Sequence, residues 1–257
     1  MGSVSQPQRR AILTGGLVAT AAVITGCSSK ADAGTAAPKP APAAAAATAS
    51  SSASAPPDTP RAAFDRLIEG NKRWVAETLQ RPNQDRARRK SVAEEQDPYG
   101  VIVSCIDSRV DPELAFDTGI GDLFVIRTGG QVVAPVVTGS VEYGPLTAGS
   151  PLIIVLGHQR CGAVKAAYKA LKEGKSLGGN LQSIVEALRP AYEAISKGKH
   201  TDPVDAMIRV HAQQTAAGLR SNASLAPLVK KGDLAVVSAY YSLDTGRVEV
   251  LSGRPSD

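Results

Sequence analysis

The stretch GVIVSCIDSR, residues 100–109, decides the fold and raises the first chemical question. It opens with a continuous apolar run rich in β-branched side chains, which is typical of a strand buried on both faces of a parallel sheet. Cys105, Asp107 and Arg109 follow at the end of this run, where open parallel sheets place their ligand sites. The thiol of Cys105 can therefore be a nucleophile, half of a disulfide or a metal ligand.

Similar apolar runs recur at 123–126, 152–156 and 234–241. Helical periodicity lies around them, at 61–79, 137–143, 163–172, 181–196 and 204–221. A turn-forming segment at 243–246 predicts a short antiparallel strand at 247–251. The sequence therefore predicts an α/β fold: a mainly parallel central sheet flanked by helices, with a C-terminal antiparallel edge strand and an N-terminal helical arm.

The first sixty residues do not resemble part of a core. Arg9 and Arg10 precede an apolar stretch that is too short for a comfortable membrane span, as in an export signal. The twin arginines resemble a Tat signal, and residues 24–27, Ile-Thr-Gly-Cys, resemble a lipobox in which Cys27 is lipidated. An export signal without lipid is the alternative.

We therefore predict three parts: an export signal with a lipobox at 1–27, a disordered tether at 28–60 and a folded catalytic domain at 61–257. The tether is dominated by Ala, Pro and Ser and buries too little apolar surface to order itself. Its r.m.s. reach is roughly 30 Å. The domain is expected at the cell surface or in the periplasm, touching the membrane only through the lipid anchor.

The net charge of +5 is modest and includes one dense basic run. The run consists of Arg81, Arg86, Arg88, Arg89 and Lys90. No aromatic residue interleaves it for base stacking, so a solvated helix face is the better interpretation. We expect no nucleic-acid partner.

Three cysteines and three histidines carry the remaining chemistry. If Cys27 is lipidated, Cys105 and Cys161 remain, and a disulfide is the ordinary expectation for an exported chain. His158 lies three residues before Cys161, at a strand-to-helix junction. A Cys2His set is a known zinc donor group that leaves a fourth position open, and soft thiolates favour zinc over magnesium or calcium.

Asp107 and Arg109 strengthen the metal hypothesis, because a carboxylate beside an arginine stays ionised and oriented. Asp107 either binds the zinc itself or pairs with Arg109 and leaves water on the metal. His200 and His211 are expected to be structural.

The pattern Cys105-x-Asp107-Ser108-Arg109, combined with His158-x-x-Cys161-Gly162, resembles the β-class carbonic anhydrases. Segments 122–127, 139–143 and 153–158 also resemble family segments in the expected order. The likeness covers about 61–253. It implies reversible hydration of CO2 to bicarbonate by zinc-bound hydroxide, in a homodimer or dimer of dimers whose N-terminal helices embrace the partner and whose active sites lie near the interface.

The resemblance also assigns roles to individual residues. Zinc would be bound by Cys105, His158 and Cys161, the gating dyad would be Asp107 and Arg109, and the substrate pocket would contain Gln96, Phe124 and Tyr143.

Two positions depart from the family pattern. Residues 127–131 are Arg-Thr-Gly-Gly-Gln where the family often has Arg-Asn-Ala-Gly-Asn, and Ile102 stands where members with a regulatory bicarbonate pocket carry tryptophan. Bicarbonate-controlled opening is therefore not expected. The alternatives are a hydrolase of carbon disulfide or carbonyl sulfide on the same site, a non-catalytic zinc-binding protein, and a thiol-redox protein.

Overall fold

A computed structural model describes residues 55–256. The expected export signal, Cys27 and most of the expected tether lie outside the described residues. Within the described part, no helix combines the length and apolar character that crossing a membrane requires.

Five strands form one sheet in the order β2-β1-β3-β4-β5. They are β1 Gly100–Cys105, β2 Leu123–Thr128, β3 Leu152–His158, β4 Ala235–Tyr241 and β5 Val248–Ser252. The first four are parallel, and β5 pairs antiparallel with β4 at the edge. The predicted fold class is confirmed, and each predicted strand lies within two residues of an observed one.

Eight helices flank this sheet in the described residues. They are α1 Pro60–Val75, α2 Arg86–Ser91, α3 Pro112–Ala115, α4 Pro135–Thr147, α5 Gly162–Glu173, α6 Leu181–Ser196, α7 Pro203–Arg220 and α8 Ala226–Lys231. A short 3-10 turn, Gly129–Gln131, follows β2. The basic run falls partly on α2, which has no buried residue, as expected for a solvated helix.

Alternation along the buried strands assigns each face of the sheet to a different helix. Ile102 of β1 and Ile154 of β3 point into the core shared with Phe64 of α1. Val103 and Val155, one residue further along each strand, point into the core shared with α7. Both faces are apolar because both are covered, which explains the continuous apolar runs in the sequence.

The first helix ends earlier than the predicted residue 79. α1 begins at Pro60, where the side chain of Thr59 accepts a hydrogen bond from the Ala62 N–H, and it ends at Val75. Beyond it Glu77 adopts a left-handed φ of 57°, which breaks the helical geometry. The helix packs on the sheet of its own chain, so an embrace of a partner by this helix stays a prediction.

His211 lies on the buried side of α7 with 6% of its surface exposed. Its Nε2 atom has no hydrogen-bond partner in the described structure. Burial lowers the pKa of His211 to about 4, with the carbonyls of Gln131 and Gly130 acting in the opposite direction. The imidazole is therefore neutral at pH 7.

This burial predicts a loss of stability in acid. The unfolded chain binds the His211 proton with a pKa near 6.5 and the folded chain with a pKa near 4, so the stabilisation is present above about pH 6.5 and falls as the pH is lowered. Between pH 7 and pH 5 the free energy of unfolding should drop by about 2 kcal/mol through this residue. Urea unfolding at both pH values measures it.

His211→Gln should remove the part of the fall in the free energy of unfolding that His211 causes between pH 7 and pH 5. His200→Gln, which replaces an exposed histidine, is the matched control and should keep that fall. Equal acid sensitivity of wild type and His211→Gln would contradict the prediction.

Candidate metal centre

The site lies where the strand order of the sheet reverses. β1 lies between β2 and β3, so the carboxyl ends of β1 and β3 are adjacent. Cys105 is the last residue of β1, and His158 is the last residue of β3. Cys161 immediately precedes α5. Ligands of open parallel sheets bind at this kind of switch point.

Cys105, His158 and Cys161 form a compact buried cluster. Their ligand atoms all lie within 4.8 Å of one another. The Sγ atoms of Cys105 and Cys161 are 3.8 Å apart and both thiols are free. The structure therefore has a thiol pair at this point, not the disulfide that export alone would suggest.

The cluster fits a zinc ion. Two thiolates on a tetrahedral zinc, each at about 2.3 Å, stand about 3.8 Å apart, close to the spacing of the two sulfurs. The Nδ1 of His158 lies 3.0 Å from the carbonyl oxygen of Gln159, which can only accept, so the proton belongs on Nδ1. The buried Nε2 then has a free lone pair and no hydrogen-bond partner within the described residues.

The electrostatics of the two thiols also indicate a cation. The pKa of Cys105 is lowered to about 4, first by the hydrogen bond from Cys161 and further by His158 and the Gly130 N–H. The pKa of Cys161 is raised, because the same hydrogen bond and its burial favour its proton. Without a metal only one of the pair ionises readily. A divalent cation removes this conflict by stabilising both thiolates.

The turn Gly129–Gln131 supplies a contact that the sequence analysis missed. The N–H of Gly130 donates to the Sγ of Cys105 at 3.3 Å. Gly130 has a φ of 69°, in the left-handed region that glycine adopts at little cost. The adjacent glycines at 129 and 130 are the signal in the sequence that indicates this turn.

Asp107 and Arg109 form a bidentate ion pair beside the cluster. Arg109 donates from Nε to Oδ1 of Asp107 at 2.9 Å and from Nη2 to Oδ2 at 2.7 Å. Oδ2 of Asp107 lies 4.0 Å from Nε2 of His158. The Arg109 guanidinium holds the pKa of Asp107 well below its usual range, so the carboxylate is charged near neutral pH.

Arg127 of β2 holds the backbone that carries this pair. Its guanidinium donates to the carbonyl of Cys105 at 2.9 Å and to the carbonyl of Asp107 at 2.6 Å. The sequence pattern marks Arg127 only as part of a strand. Its function in holding the loop depends on contacts across the strand pair, which periodicity does not reveal.

The expected substrate residues do not lie at this end of the sheet. Gln96 is exposed and precedes the amino end of β1, and about 16 Å of strand separates the two ends of β1. Phe124 pairs with Val101 near the same amino end, and its ring meets Tyr143 edge-on at 5.8 Å. Within one chain, the cluster therefore lies at the carboxyl end of the parallel strands, whereas Gln96, Phe124 and Tyr143 lie near the amino end.

Comparison with known proteins gives a consistent result. A family model described as carbonic anhydrase matches residues 100–248. Carbonic anhydrase 2 of Mycobacterium tuberculosis strain CDC 1551 is 40% identical over 193 residues, covering 75% of this chain and 93% of the relative. A carbonic anhydrase of Mycolicibacterium smegmatis is 40% identical over 198 residues, covering 77% and 96%.

The fold also matches solved structures. A structure from a study of two tetrameric β-carbonic anhydrases of Sordaria macrospora has a TM-score of 0.57 with 22% identity. The match covers 74% of this chain and 96% of that one. At this identity the likeness supports the fold.

Proposed function

Because the chain belongs to the β-class carbonic anhydrases, we propose that it binds zinc through Cys105, His158 and Cys161 and hydrates CO2 reversibly to bicarbonate and a proton. The buried Cys–His–Cys cluster at the switch point of the sheet is the observation that carries this function. When bound, zinc lowers the pKa of water and supplies a nucleophile near neutral pH.

In this mechanism Asp107 would accept a hydrogen bond from the nucleophile and orient it, and it would not be the base that deprotonates water. Its pKa lies far below that of a base working near pH 7, because Arg109 engages both carboxylate oxygens. An ionised acceptor beside the cluster would fix the direction of the O–H bond of the nucleophile and so turn an oxygen lone pair toward CO2. Arg109 acts through Asp107 by holding its position.

The proton leaves by a route other than a neighbouring histidine. His211 is buried on α7 with a pKa lowered to about 4 and does not carry protons near neutrality. The ring of His200 lies against the Ile195 carbonyl at the end of α6. Water and buffer are therefore the proton acceptors in this proposal.

The substrate pocket is proposed to form between two copies of the chain. Gln96, Phe124 and Tyr143 lie at the end of the sheet remote from their own cluster, so a second copy is needed to bring them to a cluster. Tyr143 is 53% exposed and shares one face of α4 with the exposed Val136 and Leu146. Such an apolar face favours association, as a homodimer or a dimer of dimers.

Export and lipid anchoring complete the proposal. The support is in the sequence: Arg9 and Arg10 before an apolar stretch, and Cys27 at the end of the lipobox-like segment. The enzyme would then act at the cell surface or in the periplasm, held near the membrane by residues 28–60. Tat export suits a metal protein, because that route carries folded chains.

Replacing Asp107 tests the catalytic assignment. Asp107→Asn should keep one zinc per chain and lose about 100-fold in kcat/KM for CO2 hydration, because the charged acceptor is lost while the ligands remain. Stopped-flow hydration with metal analysis measures both, and carbonyl sulfide as substrate tests the hydrolase alternative.

The matched control is Asp65→Asn, which breaks an exposed Asp–Arg pair on α1 and should be neutral. Zinc-loaded wild type without CO2 hydration would overturn the function, and full activity in Asp107→Asn would overturn the assignment of Asp107.

Mixing two inactive variants tests the shared pocket. His158→Ala removes a ligand and Gln96→Ala removes the substrate amide, so each homodimer should be nearly inactive. Co-refolded or co-expressed, the two should regain about one quarter of the wild-type sites, because half of the dimers are mixed and each mixed dimer has one intact site. Activity no greater than the sum of the separate variants would contradict the shared pocket.

Labelling with a fatty acid in a bacterial host tests the anchor. Wild type should incorporate label and sediment with membranes, whereas Cys27→Ser should do neither, and the neighbouring Ser28→Ala is the control. Replacing Arg9 and Arg10 with lysine should stop export. Label retained in Cys27→Ser would contradict the lipidation site.

A further inference from the structure

Gln159 and Arg160 link His158 to Cys161 in the chain. The backbone carbonyl of each of these two linking residues accepts a hydrogen bond from a side chain of the site. The Gln159 carbonyl accepts from Nδ1 of His158 at 3.0 Å. The Arg160 carbonyl accepts from Nη2 of Arg109 at 3.2 Å. The orientation of this short link therefore sets both a metal ligand and the arginine of the dyad.

Both side chains of the link turn to a single carboxylate, Asp244, in the hairpin between β4 and β5. Gln159 donates from Nε2 to Oδ2 of Asp244 at 2.9 Å. Arg160 donates from Nη2 to Oδ1 at 2.5 Å and from Nη1 to Oδ2 at 3.3 Å. The Asp244 N–H returns a hydrogen bond to Oε1 of Gln159 at 3.2 Å.

The backbone of Arg160 needs such an anchor. Its φ is 54°, in the left-handed region that is unfavourable for a residue with a Cβ atom. A residue keeps this conformation when surrounding contacts impose it. The backbone carbonyl of Arg160 accepts a hydrogen bond from Arg109. The side chain of Arg160 donates its hydrogen bonds to Asp244.

We propose that Asp244 is a positioning residue of the metal centre: through Gln159 and Arg160 it holds the two carbonyls that orient His158 and the Asp107–Arg109 pair. The proposal rests on the proposed zinc enzyme and adds a residue outside the motifs that identify the family. Asp244 lies 83 residues after Cys161 in the chain, on another hairpin.

The effect is on orientation more than on global stability. Asp244 and Arg160 are each 55% exposed in their side chains, and an exposed ion pair of this kind contributes little to the free energy of unfolding. Partners that orient metal ligands nevertheless change metal affinity by about 10- to 100-fold. Loss of Asp244 should therefore weaken zinc retention while the fold persists.

Zinc release from the loaded full-length enzyme tests this directly. Zinc transfer to the chelator 4-(2-pyridylazo)resorcinol should be about tenfold faster from Asp244→Ala than from wild type. Glu186→Ala is the matched control, since it removes an exposed carboxylate that pairs with Arg189 on α6. Its zinc release should equal that of wild type, and both variants should unfold at similar temperatures.

Further variants separate the effect on His158 from the effect on the Asp107–Arg109 pair. Gln159→Ala should accelerate zinc release, because the link to His158 loses its anchor. Arg160→Ala should mainly lower kcat for CO2 hydration with KM little changed, because Arg109 is displaced. Asp244→Asn keeps the acceptor for Gln159 but loses the charge that holds Arg160, so it should lie between wild type and Asp244→Ala.

Wild-type zinc release in both Asp244→Ala and Asp244→Asn would overturn the proposal, as would equal acceleration in Glu186→Ala. If Asp244→Ala fails to fold, Asp244→Asn supplies the comparison. The chelator assay does not depend on CO2 hydration, so a failure of the proposed enzyme activity is distinguishable from a failure of this inference.

Discussion

The parallel pairing of β1 with β3 is the constraint on which the metal centre depends. Its register sets Ser104 opposite Leu156, so that the two strands end side by side with Cys105 and His158 as their last residues. A slip by one residue would exchange the side chains that a strand presents to the two cores, so close packing on both faces makes this register costly to shift. The cores on the two faces of the sheet therefore determine where the ligands stand.

Charge compensation explains the arrangement around the ligands. Two buried thiols and an imidazole nitrogen without a partner form a site that is unfavourable to leave without a cation. The Gly130 N–H lies against one sulfur, while Arg109 neutralises Asp107 and Arg127 fixes the backbone that carries them. Arg127 and Gly130 come from β2 and the turn that follows it, whereas Arg109 follows β1. The metal centre is thus held by the whole carboxyl end of the sheet.

The strands were predictable because their local signal and their burial agree. Continuous apolar runs marked all four parallel strands, and the ligand pair Cys105 and His158 could be placed at strand ends from those runs alone. The predicted end of α1, at residue 79, was wrong. The apolar periodicity continues past Val75, but Glu77 leaves helical geometry. The turn Gly129–Gln131 was missed for a related reason, since positive φ angles leave little pattern in sequence beyond the glycines themselves.

The sequence by itself determined the class of fold, the identity of the side chains proposed to bind the metal and the acidic and basic partners next to Cys105, because these follow from residue type, spacing and strand periodicity. Only the tertiary structure decided that Gln96, Phe124 and Tyr143 lie at the opposite end of the sheet from the cluster of their own chain. It also decided that Asp244 of a distant hairpin reaches the link between His158 and Cys161. Contacts of this kind depend on the direction of strands and on side chains meeting across elements, and distance along the chain carries no signal of either.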